Sequence, residues 1–419
     1  MNLFKWLVPG ISIKRWFIFH FISLVLLTLS VHLAITNFNN NIYTLFFIFP
    51  ALLLYLLSLQ YLYKRFIKLH KIDDKKDFAD IVYTEHRLSK GPRIVAIGGG
   101  TGLSTLLQGL KKITHNLTAV VTVSDDGGSS GILRESYDVL PPGDIRNCLV
   151  ALADSEPLMR KLFQYRFPEQ KPLSGHTVGN LVILALRNIL GNFETAIQET
   201  SKILAIKGKV VPASLAKIKL IAQNIDGSYT EGEQKITKSI NKISKIQITP
   251  ENAQAATEAV EAIKHCDAIV IGPGSLYTSI MPNLLIKGIK DAIINSSSRK
   301  IYICNIMTQE GETDHYSACD HIRAIVKHCG AKIFDHVIVQ KSYIDAETLK
   351  KYQLENAYPV AIDEDAILSE GVKLIPADVI NIQSVVRHDS EKLSYVISGI
   401  IEDDDRRFYT NNKKVHDTE

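Results

Sequence analysis

The chain has 419 residues, a length that predicts two or three domains rather than one. Hydrophobic residues make up 46% of it and charged residues 22%, which excludes the fibrous and the intrinsically disordered classes. The formal net charge is only +4, and no block of Lys and Arg is interleaved with aromatic residues, so nucleic acid is not an expected partner. The five cysteines form no CxxC pair, which favours reduced thiols over a disulfide framework.

Two long apolar stretches lie near the N-terminus, at 16–35 and 42–63. Each is long enough to cross the hydrocarbon core of a bilayer as a helix, and the segment between them carries no charge. Lys and Arg on both outer flanks place both chain ends in the cytoplasm by the positive-inside rule. The sequence therefore predicts a membrane hairpin over 1–63 that contacts lipid, and a multi-pass location in the cell membrane with the main domain in the cytoplasm. A signal peptide for the first stretch, or buried core helices for both, are the alternatives.

C-terminal to the apolar stretches, the composition of the sequence changes twice. Residues 64–92 are polar and charged, as is typical of a linker helix. Over 93–401, apolar strands that end in Gly-, Ser- and Thr-rich loops alternate with helical patterns, which predicts an α/β fold with a Rossmann-like, doubly wound parallel sheet. Glycine turns and β-branched residues over 224–250 predict a small insertion of short antiparallel strands, and the tail 402–419 is expected to be flexible.

A run of glycines follows the first predicted strand and precedes an amphipathic helix. We expect Gly99, Gly100, Thr101 and Gly102 to bind a diphosphate, because glycine allows close backbone approach and the helix N-terminus favours an anion. Leu103 stands where a dinucleotide-binding fingerprint has its third glycine, which disfavours an oxidoreductase with a nicotinamide cofactor. A purely structural tight turn is the alternative.

Polar loops also follow the other predicted strands. Asp125 and Asp126 end the second strand, where adjacent carboxylates suit ribose hydroxyls or Mg²⁺; no other cofactor is expected. Ser275 and Tyr277 follow a later strand, where a hydroxyl suits a phosphate and an aromatic ring suits a base or sugar. The alternatives are turn or cap roles for the aspartates and core packing for the tyrosine.

Further polar residues at predicted strand ends and helix starts are candidates for the same crevice. They are Asp144, Arg146, His176, Asn180, Asn305 and Thr308. Asp144 as a helix N-cap and His176 as a hydrogen-bonded neighbour of the core are the structural alternatives. Spacing alone assigns no Ser-His-Asp relay, so no catalytic residue is named.

Six motifs in order resemble the YvcK family of gluconeogenesis factors, a group related to the CofD phospholactate transferases. They read GGGTGLSTLLQGLK, TVSDDGGSSGILR, LPPGDIRNCL, LSGHTVGNL, GPGSLYTSIMPNLL and CNIMTQEGETDHYSACDH. The resemblance runs from about Gly91 to about Asp404. It implies a CofD-like nucleotide-binding domain over 93–401 that binds a UDP-sugar such as UDP-N-acetylglucosamine. It also implies support of cell-envelope growth and cell shape on gluconeogenic carbon sources. The predicted hairpin departs from the family, whose members otherwise look cytoplasmic.

The same resemblance implies roles for the candidate residues. Residues 99–102 would hold the diphosphate, the aspartate pair would hold ribose or a metal, Asn180 would orient the ligand, and Ser275 with Tyr277 would close over it. A regulator that binds without turnover is favoured. Its expected partners are a second copy of the chain and a regulated protein of cell-envelope precursor metabolism. The alternative is a CofD-type, metal-dependent transferase that moves a phospholactyl-like group from a nucleoside diphosphate donor.

Overall fold

The chain divides into two compact units, Met1–Lys90 and Gly91–Glu419. The computed structural model describes residues 13–36, 48–61, 78–168, 173–382 and 386–402. Much of the predicted linker and nearly all of the predicted flexible tail therefore lie outside the described residues. Three helices are described in the first unit: α1 (Ile13–Thr36), α2 (48–61) and α3 (Phe78–Ser89).

The N-terminal helices do not bear out the predicted transmembrane hairpin. Among the described residues, no helix is both long enough and apolar enough to span a bilayer. The described part of α2 covers 48–61, which is roughly 21 Å of helix against a hydrocarbon core of about 30 Å. In α1, the imidazoles of His20 and His32 bound a short apolar run, 21–31, that itself contains hydroxyl side chains. The hairpin in the predicted fold class was therefore wrong, and so was the multi-pass location in the cell membrane that depended on it.

A seven-stranded parallel sheet forms the centre of the second unit. Its strands are β1 (Ile94–Gly98), β2 (Leu117–Val121), β3 (Lys209–Pro212), β7 (Ala268–Ile271), β8 (Arg299–Ile303), β9 (His336–Gln340) and β10 (Lys373–Ala377). The order is β10-β9-β8-β7-β1-β2-β3, and every neighbouring pair is parallel. β1 and β7 are buried at every residue, as continuous apolar strands in a covered parallel sheet should be. The predicted α/β parallel sheet is confirmed.

Two small antiparallel sheets complete the strands. Their members are β4 (Lys219–Asn224), β5 (Tyr229–Glu231) and β6 (Ile243–Thr249) in one, and β11 (Ile380–Ile382) and β12 (Val386–His388) in the other. The first has the order β5-β4-β6 and spans 219–249, so it begins a few residues before the segment 224–250 in which the sequence predicts an antiparallel insertion.

Helices connect and cover the strands of the central sheet. They are α4 (Gly100–Leu110), α5 (Gly128–Tyr137), α6 (Gly143–Leu152), α7 (Pro157–Gln164), α8 (Val178–Leu190), α9 (Phe193–Ile203), α10 (Glu233–Thr237), α11 (Thr257–Lys264), α12 (Met281–Leu284), α13 (Lys287–Asn295), α14 (Ala318–Cys329), α15 (Ala346–Gln353) and α16 (Glu364–Ser369). A π-helical turn, Leu276–Ile280, precedes α12. In α4, helical spacing puts Leu103, Leu106, Leu107 and Leu110 on one fully buried face, which fixes the start of the helix against the sheet.

The strand order reverses between β1 and β7. From β1 the chain proceeds outward through β2 to β3, and it later returns to β7 on the other side of β1 and proceeds outward to β10. The loops that leave β1 and β7 therefore diverge at the carboxyl edge of the sheet. Such a switch point is where doubly wound sheets bind ligands.

Candidate ligand site

A cavity of about 410 Å³ lies at the switch point between β1 and β7. This volume falls within the roughly 300–1,000 Å³ typical of small-molecule sites. Its walls are the first turn of α4, the loop after β7, the loop after β8, and parts of α15 and β12. Five residues of the sequence prediction line it, namely Thr101, Gly102, Ser275, Asn305 and Thr308.

The first turn of α4 presents backbone donors to this cavity. A Cβ atom on Gly102 would lie 2.3 Å from the carbonyl oxygen of Pro273, so only glycine lets the helix approach the loop after β7 this closely. The first N–H groups of a helix have no intrahelical acceptor and lie at the positive end of its dipole. Gly100 has a φ of +61°, and its N–H group donates to Asp144 Oδ2 at 2.8 Å. The N–H groups of Thr101 and Gly102 are therefore the donors that remain for a ligand.

Arg387 contributes a positive side chain to the lining of the cavity. It lies on β12, where it is exposed. Within the described part of the chain, no carboxylate pairs with its guanidinium. The neighbouring Tyr352 accepts a hydrogen bond from the N–H of Val386 at 2.7 Å through its phenolic oxygen, which braces this strand. An unpaired guanidinium in the same cavity as a helix N-terminus suits a phosphate or diphosphate group.

Two half-buried polar side chains in the cavity wall have buried atoms with unused hydrogen-bonding capacity. Asn305 donates to Gln309 Oε1 at 3.2 Å, but its own Oδ1 has no partner. His388 bonds the backbone of Cys304, while its Nε2 has no partner. Burial lowers the pKa of His388 to about 4, so the imidazole is neutral at pH 7 and Nε2 is an acceptor. Both atoms suit a ligand that carries N–H or O–H donors.

A buried carboxylate, that of Glu312, forms hydrogen bonds with the loop after β7. Glu312 accepts hydrogen bonds from the hydroxyls of Ser275 and Thr278, and burial raises its pKa. Ser275 therefore faces the cavity on a fixed loop.

Tyr277, in contrast, lies in the core: it is 2% exposed, and its hydroxyl hydrogen-bonds that of Tyr316 at 2.9 Å. Thr308 is also committed to its loop, since its N–H and hydroxyl bond the backbone of Tyr358.

A carboxylate cluster, Asp125, Asp144 and Glu233, lies on the other side of the α4 N-terminus. Burial raises the pKa of each of these three groups, and each of Asp144 and Glu233 has its pKa raised further by the neighbouring carboxylates. For Asp144 the raised pKa is about 6, although the Gly100 N–H acts in the opposite direction. Burial and mutual repulsion thus disfavour the charged forms of these three carboxyls. A hydrogen bond from the N–H of Gly100 to Asp144 joins the cluster to the glycine loop.

A polar network occupies the helix starts beside this cluster. Asn180 donates to Ser129 Oγ at 3.0 Å and accepts from Arg146 at 3.0 Å. His176 Nδ1 lies 3.0 Å from the same Ser129 Oγ. Arg146 also bonds Thr177 and is 8% exposed, and burial lowers the pKa of its guanidinium. Asn180, Arg146 and His176 therefore stabilise one another, and the structure does not place them in the cavity.

Asp125 and Asp126, the predicted Mg²⁺ ligands, form hydrogen bonds with two different loops. Asp125 Oδ1 accepts from the N–H of Gly127 at 2.9 Å, whereas Asp126 Oδ1 accepts from the N–H of Gln234 at 2.8 Å. Over the ranges that the structure describes, no three His, Cys, Asp or Glu side chains are arranged to hold a metal ion. The residues as placed do not form a ready Mg²⁺ site, and metal binding by the aspartate pair stays a prediction.

Sequence reasoning missed three residues of these two regions. Arg387 and His388 lie on a three-residue strand far from any glycine motif, and Glu233 lies in the antiparallel insertion. No local pattern marks any of them, because each is brought to its place by a long-range contact. Glu233 reaches the cluster through Ser124, whose hydroxyl donates to it at 3.1 Å.

Comparison with known proteins places the chain in a family. Residues 94–380 match the model of the family described as 2-phospho-L-lactate transferase CofD. A protein of Halalkalibacterium halodurans named gluconeogenesis factor is 48% identical over 74% of this chain and 96% of its own length. The gluconeogenesis factor of Bacillus subtilis is 43% identical over 75% of this chain and 100% of its own length.

A solved structure has the same fold. The crystal structure of a Bacillus halodurans protein matches with a TM-score of 0.72 and 48% identity, over 74% of this chain and 99% of that one. The family match covers more than half of the chain, and both relatives cover about three quarters of it at high identity. The chain therefore belongs to the CofD family and, within it, to the YvcK-like gluconeogenesis factors.

Proposed function

We propose that the chain binds a UDP-sugar such as UDP-N-acetylglucosamine in the cavity between β1 and β7. Binding makes it a regulator that supports cell-envelope synthesis and cell shape during growth on gluconeogenic carbon sources. Membership among the gluconeogenesis factors supports the physiological setting. The ligand class is supported by the chemistry of the cavity wall.

One observation carries the ligand assignment: the first turn of α4 and the guanidinium of Arg387 line the same cavity. The free N–H groups of Thr101 and Gly102 would bind one phosphate, and Arg387 would bind the same or the adjoining phosphate through two parallel hydrogen bonds. A diphosphate matches this pair of anion-binding groups because it offers several acceptor oxygens over a short span.

Two further groups of the wall suit the uncharged ends of a nucleotide sugar. The unpartnered oxygen of Asn305 and the Nε2 of His388 can each accept a hydrogen bond from an imide N–H or a sugar hydroxyl. Specificity for uracil or for the sugar would come from these acceptors.

A regulatory role is favoured because the described residues assemble no catalytic relay. His176 contacts the hydroxyl of Ser129, yet no carboxylate among the described residues contacts the imidazole to orient it. The carboxylate cluster lies behind the glycine loop rather than in the cavity. Binding energy is therefore available for a conformational signal.

Thermal unfolding of the full chain tests the assignment. UDP-N-acetylglucosamine should raise the melting temperature in a concentration-dependent way, since a ligand that binds only the native state stabilises it by mass action. UDP should have a smaller effect, and GDP none. Prolonged incubation with UDP-N-acetylglucosamine should leave the ligand intact when it is analysed by mass spectrometry. Stabilisation by GDP alone would contradict the proposed ligand class.

A phospholactyl-type transferase is the second candidate, favoured by the match of residues 94–380 to the CofD family. In that case the carboxylate cluster would act during transfer from a nucleoside diphosphate donor. If the chain cleaves a guanosine diphosphate donor, and both Asp125→Asn and Asp144→Asn lose this activity, the transferase would replace the regulator as the proposed function.

A further inference from the structure

Helices α1 and α2 of the first unit expose many large apolar side chains. Among the described residues, nine such side chains of α1 and seven of α2 are 41–71% exposed. We call these sixteen side chains the α1/α2 surface. Neither 18–36 of α1 nor 48–61 of α2 contains a Lys, Arg, Asp or Glu residue. Monomeric proteins rarely expose apolar patches larger than a few hundred Å², so a surface of this kind indicates a binding partner.

The contact between the two helices uses small and polar side chains instead. His20 Nδ1 lies 2.8 Å from Ser58 Oγ, and the His20 ring stacks on Tyr55 with the ring centroids 4.9 Å apart. Ser23, Ala51 and Ser58 are buried, at 1–4% exposure. The packed side of the helix pair therefore buries little apolar area, and most of its large apolar side chains lie on the outside.

The exposed side chains cover more than one face of α1. At about 100° per residue, Leu24 and Leu26 lie roughly 160° apart around the helix axis, and they are 41% and 43% exposed. A helix that lies flat in a membrane interface has a charged face that stays among the lipid headgroups. Residues 18–36 of α1 supply no such face. A protein partner is therefore favoured over a lipid surface.

The α1/α2 surface meets two requirements of an interface between identical copies. Sixteen large side chains at about half exposure present on the order of 1,000 Å² of apolar area, against roughly 800 Å² per partner in a standard interface. A two-fold interface brings a surface against its own copy, so any charge on it would face a like charge. The absence of charged residues from these ranges removes that repulsion.

We propose that the α1/α2 surface binds the same surface of a second copy of the chain. The two helix pairs pack into a bundle, and the side chains that each pair exposes form the apolar core between the copies. Removal of this area from water drives the association. The interface belongs to the first unit, so it does not depend on the nucleotide sugar proposed for the second unit.

Size-exclusion chromatography of the full chain with light-scattering detection is the first test. The parent should have the mass of a dimer or a larger assembly. In Phe21→Glu/Leu57→Glu like charges would meet across the interface, so the dissociation constant should rise by roughly a hundredfold and the chain should elute as a monomer. Leu158→Glu/Ile189→Glu is the matched control, since it places two charges at exposed apolar residues of the second unit and should keep the parental mass.

A cysteine at Leu53 probes the interface without adding charge. A short bismaleimide should link two copies of Leu53→Cys, because the α1/α2 surfaces of the two copies face each other. Ile189→Cys, at an exposed apolar residue of the second unit, is the control and should be linked no more than the parent. Melting temperatures would verify that each variant folds.

Three results would overturn the proposal. They are a monomeric parent, equal masses for the parent and Phe21→Glu/Leu57→Glu, and equal cross-linking of Leu53→Cys and Ile189→Cys. Flotation of the full chain with vesicles of phosphatidylcholine and phosphatidylglycerol, together with loss of the Leu53→Cys cross-link on those vesicles, would replace the second copy with a lipid surface.

Discussion

The two sides of the α4 N-terminus differ in how their polar groups are satisfied. On the cavity side, Asn305 Oδ1 and His388 Nε2 have no partner among the described residues. The N–H groups of Thr101 and Gly102 lie in the first turn of α4, where a helix supplies no acceptor, and Arg387 forms no ion pair with a described residue. On the other side, Asp144 already accepts the N–H of Gly100, and Asn180 is engaged at both ends of its amide. One buried atom on that side, Arg146 Nε, also has no partner among the described residues.

This difference indicates which side of the α4 N-terminus is the better candidate for ligand binding. Buried polar groups in native proteins are normally paired, so unpaired ones in a cavity wall mark a place where another molecule completes the bonding. On the other side, Asp144 already hydrogen-bonds the glycine loop and takes the position at the helix N-terminus that an anion would take.

The largest effect is expected from Asp144→Asn. Its folded pKa of about 6 lies above the ordinary value of 3.8, so the folded state binds a proton more readily than the unfolded state does. Native stability therefore falls as the pH rises from about 4 to about 6, and the cost above pH 6 is at most about 3 kcal/mol. The Asn variant should be more stable than the parent at pH 8 by up to this amount, and the gain should disappear near pH 4.

Urea denaturation of the full chain at both pH values measures this difference. Asp365→Asn, which changes an exposed aspartate, is the matched control and should shift stability by no more than a few tenths of a kcal/mol at either pH. A destabilised Asp144→Asn at pH 8 would show that the carboxylate is held by a cation or by stronger hydrogen bonds than the structure contains.

A pair of glycine substitutions compares the two sides of the α4 N-terminus directly. In Gly102→Ala the new methyl would overlap the Pro273 carbonyl, so the α4 start should move away from the loop after β7, at a cost of about 1–3 kcal/mol. In Gly100→Ala the nearest atom is 3.8 Å away, and the cost is the left-handed conformation, about 1–2 kcal/mol. Both should lower stability, but only Gly102→Ala should also weaken binding of UDP-N-acetylglucosamine in calorimetric titration. Equal loss of affinity in both would place the phosphate nearer to Gly100.

The smallest effect is expected from Tyr277→Phe. The change removes one buried hydrogen bond, to Tyr316, and should cost about 1 kcal/mol of stability. Affinity for UDP-N-acetylglucosamine should stay at the parental value, because the ring lies in the core. Urea denaturation and titration measure the two quantities, with Tyr343→Phe as the exposed control. A clear loss of affinity would support the prediction that Tyr277 contacts the ligand directly.

The sequence was sufficient to predict the parallel sheet and the glycine loop. β1, β7 and α4 carry strong local patterns: continuous apolar runs for covered strands and leucines at helical spacing. The same local reasoning failed at the N-terminus, where apolar composition predicts a spanning hairpin and the described helices lack the required combination of length and apolarity.

The site could be predicted only in part, because its two halves come from distant segments. Thr101, Gly102 and Ser275 lie in loops that glycine marks, whereas Arg387 reaches the cavity only through the docking of β12. Asp125 and Asp126 are neighbours in sequence, but adjacent side chains of an extended segment point in opposite directions, so they serve different loops. Long-range placement of this kind leaves no trace in a local motif.

Calorimetric titration of UDP-N-acetylglucosamine into Arg387→Ala and Asp144→Asn tests the central claim most directly. Loss of the guanidinium should raise the dissociation constant by roughly tenfold to a hundredfold, the usual worth of hydrogen bonds to a charged group. Asp144→Asn should bind within about twofold of the parent, because its oxygen contacts the loop and not the cavity. Arg323→Ala, which removes an exposed guanidinium paired with Glu370, is the control and should bind like the parent. Parental affinity in Arg387→Ala together with a large loss in Asp144→Asn would contradict the assignment and move the ligand to the carboxylate cluster.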